Sequence, residues 1–169
     1  MVEEWITYMA KPDILVRIHK DRATFAALWH NLTEAQMTHR PGPQSDWSVK
    51  DLIAHVSFWE GLMMDTIAKL TKGAAPQATS DEDVDTINAR VFTENEHRPL
   101  SDVLAEFDSQ LPLVEASIAP LSDDDINNPR RFADREGSPL LYHIIGNTFG
   151  HYEEHQPDLV RYIESLKLT

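Results

Sequence analysis

The sequence feature that most constrains the fold is a helical repeat of apolar residues, which is clearest between residues 48 and 72. Ser48 followed by Asp51 resembles a capping box at its start, and Lys72-Gly73 marks its end. The residues that recur about one turn apart are Leu52, His55, Val56, Trp59, Leu62, Met63 and Ile67. No segment shows the strict alternation of apolar and polar residues that predicts a β-strand, so we expect an all-α fold.

The same period predicts helices in much of the remaining chain. These helices span residues 12–32, 81–97 and 101–118, and a last one begins near Pro139. Ser101 is the expected cap of its helix, and Pro112 predicts a kink or an early stop inside that helix. Pro157 likewise predicts that the last helix bends or restarts just after His155.

Three stretches between the predicted helices lack a helical pattern. Residues 40–47, RPGPQSDW, contain two prolines and a glycine, which leave little room for regular structure. Residues 73–80 are predicted to form a surface loop, and residues 120–139 are irregular and charged, with a single turn expected at Ser122–Ile126. The number of helices and the loop lengths favour an antiparallel bundle, in one domain over residues 1–169.

Composition limits the chemistry that the chain can carry. Hydrophobic residues make up 41% of the 169 residues and charged residues 25%, as in an ordinary globular domain. There is no cysteine, which excludes disulfides, thiolate metal ligands and catalytic thiols. Any metal must therefore be held by histidine or by carboxylates.

The charge and the terminal segment indicate partners and location. The formal net charge is −13, so we expect no nucleic-acid partner and no binding to an anionic membrane. No stretch approaches the roughly 18 apolar residues that would cross a bilayer. The first residues lack the basic stretch and apolar run of a secretory signal, so the expected location is the cytoplasm.

Three of the eight histidines stand out by position. His151 and His155 are four residues apart, which places them one turn apart on one helix face, where both rings can reach one ion. His55 lies on the apolar stripe of another helix, where a lone polar side chain is costly unless it has a partner. This pattern predicts a three-histidine metal site.

The spacing alone leaves a second interpretation open. HxxxH pairs arise by chance, and a single histidine on an apolar face is usually a core residue bonded to a backbone carbonyl. The segment reads HYEEH and lacks the glutamate of the zincin motif HExxH. Glu153 and Glu154 point away from the histidines by the helical period, so they are expected to be solvated.

Two segments resemble the DinB-like (YfiT-type) metalloenzymes. In residues 46–60, DWSVKDLIAHVSFWE, Trp47 precedes His55 by eight positions. In residues 147–155, NTFGHYEEH, the two paired histidines lie in the last predicted helix. The order and separation of these segments also fit, and the variant is similar to the subgroup that contains the colibactin self-protection proteins.

The resemblance implies an antiparallel four-helix bundle of the DinB-like type, with an irregular charged loop before the last helix. It also implies that His55, His151 and His155 hold one divalent ion, nickel or zinc. Homodimers are common in the family. Some members are thiol-dependent transferases and isomerases, which implies a low-molecular-weight thiol as a cosubstrate.

An ion held by three imidazoles keeps a coordination position open. The predicted function is therefore a metal-dependent enzyme that activates water or a thiol, for hydrolysis of or transfer to a small electrophilic substrate. Asn147 lies one turn before His151 and is a candidate for contacting a ligand or an ordered water. Trp59 and Tyr152 are candidates for lining a substrate pocket over the metal, although core packing explains them equally well.

Other charged residues and other functions stay open. Glu60 lies about 140° around its helix from His55, which predicts a solvated side chain. Arg130-Arg131 could recognise an anionic substrate, although charged loops are usually only solvated. Because no acid or base is evident beside the histidines, a non-catalytic dimer that binds or sequesters a small ligand is the main alternative. A structural dimer whose histidines have no function is the other.

Overall fold

In the computed structural model, residues 7–44, 46–74, 83–132 and 137–167 are described, and they form eight α-helices and no β-strand. The helices are α1 (Lys11–Ala27), α2 (Glu34–Thr38), α3 (Val49–Thr71), α4 (Val84–Asn95), α5 (Leu100–Ile118), α6 (Asp123–Asn127), α7 (Leu140–Asn147) and α8 (Phe149–Leu166).

The four long helices α1, α3, α5 and α8 form an antiparallel bundle, as predicted. α3 packs against α5, and α1 packs against α8. The short helix α4 lies on α3, and α7 contacts both α3 and α8. The apolar residues that these helices bury form the core. This arrangement places the middle of α3 beside the start of α8.

The first turn of α3 is held by the predicted capping box. The Ser48 hydroxyl accepts a hydrogen bond from the Asp51 backbone N–H at 3.2 Å, and the Asp51 carboxylate accepts one from the Ser48 N–H at 2.9 Å. Arg40 also forms an ion pair with Asp51 at 2.8 Å. These contacts satisfy N–H groups that a helix start leaves unpaired, so they fix where α3 begins.

The loop before α3 folds back on its own end at Gly42. A Cβ added at Gly42 would lie 2.3 Å from the backbone oxygen of Trp47, which no other residue type could accommodate without a shift. The predicted interruption over residues 40–47 is confirmed, since no helix includes these residues among those described. Gly42 therefore helps to place Trp47 next to the start of α3.

The predicted first helix is too long at its C-terminal end. α1 ends at Ala27 rather than near residue 32, and turns follow it. Thr33 then caps the short helix α2 through a capping box with Gln36. The helical period could not place this boundary, because Trp29 stays buried in the turn that follows α1.

The predictions for α5 were partly wrong. Its N-cap is Pro99, without a side-chain hydrogen bond, whereas Ser101 was the expected cap. Pro112 causes no early stop, since α5 runs on to Ile118.

The last predicted helix is interrupted at a different place from the one expected. α7 and α8 are separated at Thr148, whose φ of −131° and ψ of −116° are not helical, whereas α8 runs through Pro157 without ending. A Cβ on Gly150 would lie 2.8 Å from the Ile145 backbone oxygen, so glycine permits this close turn. The change of direction therefore precedes His151 instead of following His155.

The charged connection before α7 agrees with the sequence where it is described. The single turn expected at Ser122–Ile126 is α6, which Ser122 caps with Asp125. Residues 133–136 of this connection, and most of the predicted loop over residues 73–80, lie outside the described residues. Among the helices of the described part, none is long and apolar enough to cross a membrane.

Candidate metal centre

The structure brings the three predicted histidines together between α3 and α8. The Nε2 atom of His151 lies 3.0 Å from Nε2 of His55 and 2.9 Å from Nε2 of His155. One ligand atom from each ring fits within 4.8 Å of the others, and the three side chains are buried. His155 lies one turn after His151 on α8, so both rings face His55 across the helix interface.

Burial keeps these imidazoles neutral. Loss of hydration, with a smaller contribution from the neighbouring His155, lowers the pKa of His55 from 6.5 to about 3 and that of His151 to about 2. Loss of hydration also lowers the pKa of His155, against the charges of Glu154 and Asp158, which raise it. Neutral imidazole is the form that binds a metal ion.

The chemistry of the donor set fits a divalent ion. A neutral ring nitrogen carries either one proton or one lone pair. Nε2 of His151 can therefore form a good hydrogen bond with only one of its two neighbouring Nε2 atoms at a time. An ion bound by all three nitrogens would satisfy all three lone pairs. The Nε2 atoms of His55 and His155 lie 3.0 and 2.9 Å from Nε2 of His151, near enough for the three rings to share one ion.

Aromatic packing holds the rings in place. The ring centroid of Trp47 lies 4.9 Å from that of His55, and the Trp59 centroid lies 6.2 Å from it. The Trp59 indole N–H donates to Asn88 at 3.1 Å, which ties α4 to this wall. Metal-binding histidines usually donate their other N–H to a carbonyl or carboxylate, but the buried Nδ1 atoms of His55 and His151 have no such partner among the described residues.

The three histidines lie at the side of a pocket of about 730 Å³, an ordinary size for a small-molecule site. Two tryptophans form its aromatic walls, and α4, the end of α7 and the start of α8 supply polar groups. The lining residues besides the histidines are Gln44, Trp47, Trp59, Val84, Asp85, Asn88, Ala89, Gly146, Asn147 and Glu154. The contribution of α4 was not predicted, since nothing in its sequence pattern links it to the histidines.

The other predicted site residues divide into two groups. Asn147 and Trp59 line the pocket, and the Asn147 amide donates to the backbone oxygen of His143 at 2.6 Å. Tyr152 instead lies in the core, where its ring stacks on Phe25 at 5.6 Å between centroids. Tyr152 does not line the pocket, because it lies about 100° around α8 from His151.

Glu60 is the clearest error of the sequence-based predictions. It was expected to be solvated, yet it is 0% exposed. It accepts hydrogen bonds from the Arg22 guanidinium, at 3.0 Å to Nε, and from the Tyr152 hydroxyl. Arg22 also donates to the Phe107 backbone oxygen and lies 3.6 Å from the centre of the Phe107 ring. Arg22 on α1 was the missing partner, and it has no recognisable signal in the sequence.

Burial and the Glu60 carboxylate raise the pKa of the Tyr152 phenol well above 10. Tyr152 therefore stays protonated and acts as a hydrogen-bond donor. Arg131, a candidate for binding an anionic substrate, pairs with Asp125 at 2.5 Å and lines a different pocket at the far end of α3.

Comparisons with known proteins agree on the fold. A structure described as sibling lethal factor precursor DfsB has a TM-score of 0.80 and 16% identity, covering 94% of this chain and 98% of that one. An uncharacterised protein from Clostridium difficile 630 has a TM-score of 0.79 and 13% identity, covering 93% and 97%. At these identities the similarity extends to the fold. No curated protein matches the sequence significantly.

One comparison corrects a prediction about partners. The colibactin self-resistance protein ClbS, solved in complex with double-stranded DNA, has a TM-score of 0.75 and 15% identity, covering 90% of this chain and 94% of that one. The expectation of no nucleic-acid partner, drawn from a net charge of −13, is therefore wrong as an exclusion. Net charge describes the whole surface, whereas binding depends on the local one.

The profile of the DinB superfamily matches residues 17–157, a segment that includes all three histidines of the cluster. This match covers most of the chain, and the fold and the similar structures agree with it. The chain belongs to the DinB superfamily.

Proposed function

We propose that the protein is a metal-dependent enzyme that delivers water or a thiol to a small electrophilic substrate. The observation that supports this most directly is the convergence of three buried, neutral Nε2 atoms beside an open pocket. Structural metal sites usually have four protein ligands, whereas catalytic sites keep one position for water or substrate. No fourth histidine or carboxylate joins this group among the described residues.

Different residues of the chain have different roles in the proposed enzyme. His55, His151 and His155 would hold the ion, which when bound lowers the pKa of a coordinated water or thiol. Trp47 and Trp59 offer apolar surface to a substrate beside that position. Nickel and zinc are the proposed metals, since both bind imidazole well, and a low-molecular-weight thiol is the proposed cosubstrate where sulfur is the nucleophile.

Metal content is the first test. Protein purified without an affinity tag or added metal should contain close to one equivalent of a transition metal by elemental analysis. Adding zinc or nickel to chelated protein should raise the melting temperature in wild type, and His151→Ala should abolish that rise. His97→Ala is the matched control, because His97 lies exposed at the end of α4. Less than about 0.1 equivalent of metal, with no gain in melting temperature, would reject the proposal.

A second candidate function is a binding module that sequesters a small ligand without turnover. One observation favours it: no described carboxylate forms a hydrogen bond with any of the three imidazoles, so no acid or base contacts the histidine rings directly. The test uses catalytic quantities of metal-loaded protein with an epoxide and a thiol. Conversion that His151→Ala abolishes would exclude sequestration, and stoichiometric binding without conversion would favour it. Homodimerisation stays a prediction, which sedimentation would test.

A further inference from the structure

We propose that the pocket beside the histidines selects a substrate that carries a cationic ammonium group, in addition to its reacting electrophilic atom. This inference rests on the proposed function in one respect: it takes this pocket as the substrate site. The relevant feature is the charge of the lining. Asp85 and Glu154 are the charged residues among those that line the pocket, and no lysine or arginine of the described residues is among them.

The two carboxylates come from different helices. Asp85 lies in the first turn of α4, and Glu154 lies on α8 next to His155, so the pocket has an acidic group on each of two walls. Neither forms an ion pair with another described residue. The preceding residue on α8, Glu153, behaves differently because Arg17 pairs with it. Both pocket carboxylates thus remain available to a ligand.

The aromatic walls of the pocket also favour a cationic ligand. An indole face attracts an ammonium group through its quadrupole. Trp59 is fixed by its hydrogen bond to Asn88, and Trp47 is fixed against His55, so neither ring has to be ordered when a ligand binds. Carboxylates and indole faces together describe a site for a polar cation.

No side chain of this pocket favours an anion. The arginine pair considered for anion recognition is distant, since Arg131 lines another pocket and pairs with Asp125. An anionic group placed beside Asp85 or Glu154 would be repelled by that carboxylate. Away from the ion position, the side chains of the pocket therefore attract one charge and repel the other.

The test compares three probes of nearly equal shape: choline, its uncharged isostere 3,3-dimethylbutan-1-ol, and the anion 3,3-dimethylbutanoate. Binding is followed by quenching of tryptophan fluorescence and by ligand-observed NMR at low ionic strength, in metal-free and in zinc-treated protein. In metal-free protein choline should bind about 5- to 10-fold more tightly than the alcohol, and the anion more weakly than either. Added salt should reduce the preference, because both carboxylates are exposed.

Charge variants locate the effect. Asp85→Asn combined with Glu154→Gln should remove most of the preference for choline over the alcohol. Asp108→Asn combined with Glu164→Gln removes the same charge from exposed positions outside the pocket and should leave the preference intact. All four substituted residues are exposed, and the melting temperature of each double variant verifies that it folds.

Several results would overturn the inference: equal binding of choline and the alcohol, tighter binding of the anion to metal-free protein, no measurable binding of choline, or a preference that survives in Asp85→Asn/Glu154→Gln. The metal-free arm separates this inference from the proposed function. A choline preference in protein that binds neither zinc nor nickel would support the charge selectivity and reject the metal enzyme. Metal binding without a choline preference would support the metal enzyme and reject the charge selectivity.

Discussion

Two buried polar clusters join the same pair of helices, α3 and α8, and they differ in how completely their atoms are paired. The histidine cluster consists of His55, His151 and His155. The charge network is defined by Arg22, Glu60 and Tyr152. In the charge network, hydrogen-bond donors face acceptors. Both Glu60 carboxylate oxygens accept from the Arg22 guanidinium, Glu60 also accepts from the Tyr152 hydroxyl, and Arg22 donates to a backbone oxygen.

The histidine cluster has the opposite property. Its three Nε2 atoms lie against one another, so a nitrogen of the same kind takes the place of a distinct donor or acceptor. Two of its Nδ1 atoms have no hydrogen-bond partner among the described residues. A buried polar group without a partner is costly and requires an explanation. The comparison indicates that the charge network serves to hold the helices together, whereas the histidine cluster is built for a ligand.

The largest expected effect is on the charge network. Glu60→Ala should lower the free energy of unfolding by about 3–5 kcal/mol, because it leaves the Arg22 guanidinium buried without its counter-charge. Urea denaturation of wild type and variant measures this. The double variant Arg22→Met/Glu60→Met should be less destabilised than Glu60→Ala, since no charge remains buried. A loss below about 1 kcal/mol in Glu60→Ala would contradict the assigned role.

The next effect concerns the histidine cluster. His151→Ala should weaken zinc binding at least about 100-fold, roughly 2.8 kcal/mol, because it removes the ring that contacts both others. Competition with a chromophoric chelator measures the affinity. In metal-free protein the same variant should lose far less stability than Glu60→Ala does. If the metal-free variant unfolds as readily as Glu60→Ala, the cluster has a structural role and the comparison fails.

Tyr152 belongs to the charge network but directly follows His151 in the sequence, so Tyr152→Phe tests whether the two clusters act independently. It should cost about 2 kcal/mol of stability, since it removes a hydrogen bond to the buried Glu60 carboxylate but keeps the ring that stacks on Phe25. Zinc affinity should change less than about twofold. A large loss of zinc affinity with unchanged stability would instead assign Tyr152 to the metal site, as the sequence suggested.

The smallest expected effect is that of pH on metal-free protein. Unfolded histidines bind protons below about pH 6.5, whereas His55 and His151 stay neutral in the folded state down to about pH 3 and about pH 2. Stability should therefore fall as the pH is lowered, by about 1 kcal/mol between pH 7 and pH 6 from these two residues, with His155 acting in the same direction.

Urea midpoints across this pH range provide the measurement. The double variant His55→Leu/His151→Leu should show a shallower dependence on pH, and the exposed His97→Ala should match wild type. An unchanged slope in the double variant would mean that the two rings bind protons as readily in the folded protein as in the unfolded chain.

Local patterns were sufficient to predict α3 and the histidines. The capping box of Ser48 and Asp51 and the apolar stripe that follows involve neighbours in sequence, so both can be recognised without a partner helix. The four-residue spacing of His151 and His155 is likewise a property of one helix. The position of His55 on the apolar stripe of α3 made it the third candidate ligand, and the resemblance to the DinB-like family supported that role.

Interactions between distant segments escaped prediction. The helical period places Glu60 about 140° around α3 from His55. That angle could not show that Arg22 of α1 packs against the Glu60 side of α3. The break at Thr148 was missed because Pro157 gives a stronger local signal than a threonine and a glycine do. Asp85 and Asn88 joined the pocket unpredicted, because the position of α4 depends on packing against α3.

The sequence by itself determined the helical class, the start of α3, the absence of a cysteine ligand or nucleophile and the identity of three histidines able to share an ion, since each follows from residue type or from spacing along one helix. Only the tertiary structure decided that Glu60 is buried against Arg22, that Tyr152 faces the core, and that two carboxylates and two indoles surround the histidines. These features depend on which helix faces which. That choice is made by the packing of the whole core, where each side chain is placed by residues far away in sequence.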